Sequence, residues 1–285
     1  MAAEIKVPDY RADNGAGGEG GEQGNQGDQD HNKDRQFVNA LARGLEVLRC
    51  FRPGDQFLTN AELARRCGIP KPTISRLTYT LTKLGYLNYS ERQAKYRLGA
   101  GVLALGYRML SSLDVRALAR APMMELAEYA QASVSLGTRD RLNMVYIETC
   151  RSSANVTLRL DIGSRIPLAT TAMGKALLCV LPQGERDYLL DHVRQQDGQR
   201  WPRIRAGIEQ AYKDYQDFGF CLSAGEWQSD VHAVGVPIFS ADGEQLLAFN
   251  CGGPAFLFSR DKLVGELGPR LVALVKQIET NLGRR

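Results

Sequence analysis

Between Lys71 and Lys83 the chain concentrates side chains that suit a nucleic-acid duplex: Lys71, Thr73, Ser75, Arg76, Tyr79, Thr80 and Lys83. A guanidinium pairs bidentately with guanine, hydroxyls bond bases or phosphates, and an ammonium neutralises phosphate. On a helix these residues lie opposite an apolar stripe of Ile74, Leu77, Leu81 and Leu84. Residues near the start of such a helix approach base edges. Thr73, Ser75, Arg76 and Tyr79 are therefore read as base contacts, and Lys71, Thr80 and Lys83 as phosphate contacts. Arg92 and Lys95 follow closely enough to grip the backbone or the minor groove. Charge agrees with this reading. Residues 36–98 hold eleven basic and four acidic side chains, whereas residues 1–35 hold four basic and eight acidic. Positive charge gathered in one small segment is the footprint of a polyanion partner. Any one of these residues also fits a solvated helix face; their combination fits double-stranded DNA better.

Other reactive side chains form no constellation. Cys50, Cys67, Cys150, Cys179, Cys221 and Cys251 are scattered without a C-x-x-C pair, and His31, His192 and His232 lie far from any cysteine cluster. No metal site is expected, and reduced, mostly buried thiols are. His232 with Cys221 lacks a third partner and an anion hole, so no catalytic residue is assigned. The run Gly99-Ala100-Gly101 opening a helix superficially matches a dinucleotide fingerprint. No βαβ unit follows it, and no acidic residue stands where a ribose would need one. No cofactor is expected. No apolar run suits a membrane span and the N-terminus carries no secretory pattern, so the expectation is a cytoplasmic protein with no membrane partner.

The elements that must hold these groups are legible from periodicity. Residues 1–35, rich in Gly, Gln, Asp and Glu, read as a disordered tail. Val38, Leu41, Leu45, Leu48 and Phe51 recur at helical spacing as the inward face of a first helix, ended by Pro53-Gly54. Thr59 with Glu62 forms a capping box for a second helix that stops at Gly68. Ile69-Pro70-Lys71-Pro72 turns into the third helix, which runs to Leu84. Residues 86–89 and 95–98 then read as a hairpin, the wing of a winged helix-turn-helix over residues 36–99. Residues 100–114 read as a linker helix, apolar nearly all round and suited to dimerisation. A further helix at 115–130 contains Pro122, expected to kink it or mark its start.

Residues 115–285 alternate strands (133–137, 143–149, 156–160, 219–223, 233–239, 245–251) with helices (172–181, 184–193, 203–218, 259–282). Ala241-Asp242-Gly243-Glu244 turns the last hairpin. Strands with packed helices and an antiparallel close make this an α+β fold. Asn250 stands out as a polar residue in an otherwise apolar or small strand; a buried amide needs partners, and a ligand carboxylate is one.

In this order and spacing the chain resembles the IclR family of bacterial transcription regulators. The resemblance rests on Ala42-Arg43-Gly44-Leu45-Glu46-Val47-Leu48, Leu63-Ala64, Ile69 through Leu77 and Leu84-Gly85-Tyr86-Leu87. In the C-terminal half it rests on Ile166-Pro167-Leu168, Ala172-Met173-Gly174-Lys175-Ala176-Leu177-Leu178, and Val234 through Phe239 with Asp242-Gly243. It implies a GAF-like C-terminal domain that binds a small organic acid, and homodimers or homotetramers on a palindromic operator. Carried over by position, the effector pocket comprises Ala172, Met173, Ser223, Ala233, Asn250 and Gly252, with Leu158 as a wall. Ala233 and Gly252 stand where a relative that binds short keto acids has polar or thiol side chains, and Ser223 where it has an acid. The implied pocket is roomier and less acidic, suited to an aromatic or larger carboxylate. Two alternatives follow from the residues alone: an enzyme with an accessory DNA module, and an architectural DNA-binding protein without a ligand.

Overall fold

The computed structural model describes residues 36–153 and 160–283. The expected tail, the strand expected at 156–160 except Leu160, and Leu158 lie outside them; Leu160 is in no strand. The chain divides into two compact units, one ending at Tyr107 and the other beginning at Arg108.

The first unit runs α1 (Asn39–Arg49), α2 (Asn60–Cys67), α3 (Lys71–Lys83), then the hairpin β1 (Leu87–Ser90) and β2 (Lys95–Leu98). Thr59 caps α2 through Glu62 in a reciprocal box, and Gly68 ends it in the left-handed region at φ 66°. Pro72 sits in the first turn of α3. Leu58 bonds Tyr96 in both directions at 2.8 Å, so the strand-like approach to α2 adds an edge to the hairpin. The core is Val47, Cys50, Leu58, Leu63, Ile69, Ile74, Leu81 and Leu87.

Three expectations fail here. The first helix buries Gly44 and Val47, while Val38, Leu41 and Leu45 face out, Leu41 at 63% exposure. Leu48 and Phe51 of the expected set do pack against the core, so the expectation fails only at the start of the helix, where helical spacing alone does not say which face is covered. Leu84, expected in the core, is 64% exposed because the helix stops at Lys83 and the chain turns away through Gly85, leaving Leu87 to point inward. Thr78 takes the vacated stripe, fully buried, with its hydroxyl 2.9 Å from the Ile74 carbonyl. Finally, Cys50 and Cys67 are joined as a disulfide rather than standing as separate thiols. They lie 17 positions apart in sequence, and only the fold brings their Cα atoms to 6.5 Å.

Gly99 explains the glycine-rich run that follows. A side chain there would meet the Gly85 carbonyl oxygen at 2.2 Å, and Gly101 N–H donates to that same oxygen at 3.2 Å. The glycines serve a close backbone crossing. Helix α4 (Ala100–Ser111) then spans the boundary between the units and buries none of its residues.

The second unit begins with α5 (Asp114–Ala130), which continues through Pro122, so the proline does not mark its start. Its sheet is antiparallel, formed by β3 (Ser133–Asp140), β4 (Asn143–Arg151), β5 (Arg165–Pro167), β6 (Cys221–Ala224), β7 (Val231–Phe239) and β8 (Leu246–Pro254), in the order β5-β4-β3-β8-β7-β6. Sequence reading missed β5, whose three residues are too few to show a period. The helices are α6 (Ala172–Val180), α7 (Gln183–Gln196), α8 (Trp201–Phe218), α9 (Arg260–Lys262) and α10 (Gly268–Asn281), with a π turn at Leu263–Leu267. One sheet face packs Val134, Leu136, Val234, Val236 and Phe249 against α5 and α10. The other packs Met144, Tyr146 and Ala248 against α6 to α8. Alternation of side chains along each strand assigns neighbouring residues to opposite layers.

Candidate functional site

In the first unit the sequence-predicted residues share the outer side of α3. Lys71, Ser75, Arg76, Tyr79, Thr80 and Lys83 are exposed and Thr73 is half-buried. Pro70 supplies no side-chain cap, so the first-turn N–H groups have none; such groups favour phosphate. Two of the residues are held in place. Ser75 Oγ accepts from Asn60 Nδ2 at 3.3 Å, and the Thr80 hydroxyl lies 3.0 Å from the Arg76 carbonyl. Lys83 Nζ sits 5.5 Å from the Tyr79 ring centroid. Arg92 is exposed in the turn of the hairpin, and Lys95, half-buried, opens β2.

Sequence reasoning missed what aims α3. Asn60, in the first turn of α2, reaches Ser75 with its nitrogen, and its Oδ1 lies 3.2 Å from the Thr78 hydroxyl. Arg66, near the end of α2, donates to the Cys50 carbonyl at 2.9 Å and pairs with Asp55. The Arg66 hydrogen bond is the largest of the influences holding the Asp55 carboxyl below its ordinary range, followed by the Arg52 N–H.

In the second unit the register assembles the other predicted site. Ser223 pairs with Ala233, Ala233 with Gly252, and Gly252 with Ser133. The next row runs Gly235, Asn250, Ser135 and Thr149. Directly paired residues share a face, so both rows look toward α6. That helix lies close: a side chain at Gly235 would strike the Ala172 carbonyl oxygen at 2.3 Å, and one at Gly137 the Met173 sulfur at 2.5 Å. Thr171 caps α6 by accepting from Gly174 N–H, and Ser223 Oγ donates to the Thr170 carbonyl at 2.9 Å.

The structure thus gathers Ala172, Met173, Ser223, Ala233, Asn250 and Gly252 into one buried layer. It adds residues the sequence reading did not select. Asn250, 6% exposed, donates from Nδ2 to the Tyr146 hydroxyl oxygen at 3.4 Å, while its Oδ1 is buried with no protein partner. Burial pushes the Tyr146 phenol up, against opposing hydrogen bonds with Asn250 and Ser135. Ser135 and Thr149 hydroxyls are 2.9 Å apart. A polar chain Thr149–Ser135–Tyr146–Asn250 therefore crosses an otherwise apolar layer. Ser133 and Ser135 alternating with Val134 and Leu136 were the available signal. A cleft of about 450 Å³ touches Thr149 but lies mainly on the α5 side of the sheet edge, lined by Arg120, Met124, Glu148, Cys150, Arg151, Asp161 and Ile162.

Three ion pairs brace the sheet here, one on this face and two on the other. Lys175, 1% exposed, donates to the Leu222 carbonyl at 3.0 Å and pairs with Glu226, tying α6 to β6 and the loop after it. Glu148, buried on the opposite face, pairs with Arg116 and Arg120 of α5, each at 2.9 Å. His232 and Cys221 do not meet in a catalytic arrangement: the imidazole Nδ1 bonds the Phe258 carbonyl at 2.7 Å, and the Cys221 sulfur lies 3.5 Å from that of Cys179. Among the described residues no cluster of His, Cys, Asp or Glu could hold a metal, and no helix is long and apolar enough to cross a membrane.

Comparison with known proteins covers both units. The family model "Bacterial transcriptional regulator IclR C-terminal" matches residues 107–280, and "IclR helix-turn-helix domain" matches 40–91. The HTH-type transcriptional regulator TsaQ1/TsaQ2 of Comamonas testosteroni is 33% identical over 284 residues, covering 99% of this chain and 95% of the relative. A crystal structure of an IclR family transcriptional regulator from Brucella abortus is 48% identical with a TM-score of 0.80, covering 87% of this chain and 94% of that one. An IclR homolog from Microbacterium hydrocarbonoxydans, solved with 4-hydroxybenzoate, shares the fold at 21% identity and a TM-score of 0.67, covering 86% and 99%.

Proposed function

Since the chain belongs to the IclR family of bacterial transcriptional regulators, we propose that it reads a palindromic operator through α3 and that an aromatic hydroxy acid bound beneath α6 sets its activity. Lys71, Thr73, Ser75, Arg76, Tyr79, Thr80 and Lys83 form the reading surface, with Arg92 and Lys95 on the wing. Ala172, Met173, Ser223, Ala233, Asn250 and Gly252, joined by Tyr146, Ser135 and Thr149, form the effector site, with Leu158 as a further wall. The DNA-binding domain is residues 36–99, the linker 100–114 and the effector domain 115–285, in a cytoplasmic protein.

The observation that carries the effector reading is the open end of the Asn250 amide. A buried polar atom without a partner costs about 1–3 kcal/mol, and a ligand removes that cost. The amide has a donor end and an acceptor end, and the two orientations have nearly the same shape. With Oδ1 open, the ligand must donate, as a phenol does. Turned over, the open Nδ2 must be accepted, as by a carboxylate. A hydroxybenzoate carries both groups on one flat apolar ring. The small residues Ala233 and Gly252 and the hydroxyls of Ser135 and Thr149 suit such a ring better than a two-carbon acid. The 4-hydroxybenzoate of the Microbacterium protein supplies the first compound to try.

Control operates as a shift between two arrangements of an oligomer, by the difference in effector affinity between them. Helix α4 presents Leu103 and Tyr107 on one side and Leu105 and Met109 on another to solvent, apolar surface suited to the same helix of a second copy. Calorimetry and gel shift on the full chain test the whole reading, using a duplex from upstream of its own gene. The expected result is binding of 4-hydroxybenzoate and a changed operator affinity in its presence. Tight binding of only two- or three-carbon acids overturns the aromatic assignment. No response to any acid favours an architectural DNA-binding role.

A further inference from the structure

Disulfides in proteins that work in a reducing compartment are usually transient and redox-sensing rather than structural, and bacterial DNA lies in such a compartment. Cys50 and Cys67 are therefore conspicuous in the unit that carries α3. Their Cα separation of 6.5 Å lies within the range a disulfide needs. Their position is equally specific. Cys50 caps α1, and Cys67 is the last residue of α2, one step before the left-handed Gly68 turn that leads into α3. A bond between them ties the entry of the reading helix to the helix behind it.

A second, non-covalent tie spans the same junction. Arg66 donates to the carbonyl of Cys50 itself and pairs with Asp55. Cleaving the disulfide leaves this clasp in place, so the helices keep their neighbours while the turn before α3 gains freedom. Such a layout adjusts how firmly α3 is presented without unfolding the unit. Access is asymmetric as well. Cys67 is half-buried and Cys50 nearly fully so, so the Cys67 side of the bond is the more open to an incoming thiolate. The free thiols of Cys150, Cys221 and Cys251 are buried and unsuited to that chemistry; Cys179 is half-buried beside Cys221, in the unit that does not carry α3.

We propose that Cys50 and Cys67 are a thiol–disulfide modification site, acted on by dithiol reductants and disulfide oxidants, through which redox state sets DNA affinity. In the reducing direction a thiolate of the dithiol attacks the Cys67 sulfur, and the Cys50 sulfur leaves as a thiolate and takes up a proton. The second thiolate of the reductant attacks its own sulfur in the mixed disulfide and releases Cys67. Two electrons pass to the protein and the reductant becomes a cyclic disulfide. Oxidation by a disulfide such as oxidised glutathione is the reverse exchange, ending in two molecules of the reduced thiol.

The inference rests on α3 being the DNA-reading helix, and the test separates the two. Full-length protein is equilibrated with oxidised glutathione or with dithiothreitol, denatured, and its free thiols are counted by maleimide mass shift. Native portions bind a labelled duplex from upstream of the protein's own gene at low salt. The oxidised protein should show four labels and the reduced protein six, with peptide mapping placing the two protected sulfurs at Cys50 and Cys67. Protection at Cys179 and Cys221 instead overturns the proposal. The oxidised form should bind about three- to tenfold more tightly, as expected for a preorganised binding element. Adding dithiothreitol should reverse the gain. The double variant Cys50→Ser/Cys67→Ser should bind at the reduced level in either buffer. Should that variant misfold, the reversible comparison on the wild-type protein decides alone. Six labels in both buffers, equal affinities, or tighter binding by the reduced form overturns the proposal while leaving α3 as the reader. Binding by neither form overturns the α3 assignment and redox control together.

Discussion

Asn250 and Tyr146 are joined across the sheet by a 3.4 Å hydrogen bond from the amide nitrogen to the phenol oxygen, 104 positions apart in sequence. The other end of the amide is buried and open. Replacing Asn250 with Ala removes an unsatisfied acceptor, a relief of about 1–3 kcal/mol. It also leaves a small void and a weaker grip on Tyr146, which act in the opposite direction. The ligand-free protein should therefore melt close to wild type, while the thermal shift given by 4-hydroxybenzoate disappears and DNA binding is retained. Differential scanning fluorimetry with and without the acid checks this. An undiminished ligand shift in Asn250→Ala removes the residue from the effector site.

Arg76 is exposed in the second turn of α3, and its side chain lies beside those of Tyr79 and Thr80 along the helix. Arg76→Ala should weaken specific binding by about 1–3 kcal/mol and relax sequence preference. Lys83→Ala should instead weaken all sequences alike and lower the salt slope by about one. Fluorescence anisotropy over a salt series, with operator and scrambled duplexes, separates the two behaviours. Wild-type affinity in Arg76→Ala contradicts the assignment.

Asp55 gives the DNA-binding unit an acid limit. Its carboxyl is held below the ordinary range by Arg66, then by the Arg52 N–H. The unfolded chain, with an ordinary value near about 4, binds the proton first as pH falls. The stabilisation is then complete above that value and is lost as pH drops through the lower, folded one. Urea midpoints of wild type should be flat near neutrality and decline below about pH 4. Asp55→Asn should start lower and lose this part of the decline. Parallel slopes in the two proteins would count against the Arg66 pairing.

Glu148 places a carboxylate in the α5 layer between Arg116 and Arg120, with a further bond from the Thr149 N–H at 3.1 Å. Removing Glu148 takes away charge-assisted hydrogen bonds but leaves guanidiniums that solvent still reaches. Glu148→Ala should therefore destabilise the second unit by about 1–3 kcal/mol, read as a lower urea midpoint. Arg120→Ala should cost less, because that guanidinium is largely exposed. Equal losses for the two variants would show that the carboxylate is not the hub of the group.

Local rules made much of the molecule legible. Thr59 and Glu62 cap α2, Gly68 ends it, and Ala241-Asp242-Gly243-Glu244 turns β7 into β8, because each feature is decided within three or four residues. The alternation of Ser133 and Ser135 with Val134 and Leu136 likewise places serines and aliphatics on opposite faces whatever surrounds the strand. The chemistry of residues 71–83 is readable for the same reason: a helix of known period must gather them on one side.

What the tertiary structure alone decided is which neighbours those faces meet. Leu41 and Leu45 have the spacing of a core stripe, yet packing turned Gly44 and Val47 inward; periodicity offers a face without naming its partner. Cys50 with Cys67, and Asn60 with Ser75, meet because two helices cross, a distance that no local pattern encodes. The row Ser223–Ala233–Gly252–Ser133 exists only through the register of four strands. That register, set by pairing over more than a hundred residues of chain, also carries Asn250 to Tyr146 and leaves the other end of its amide without a protein partner.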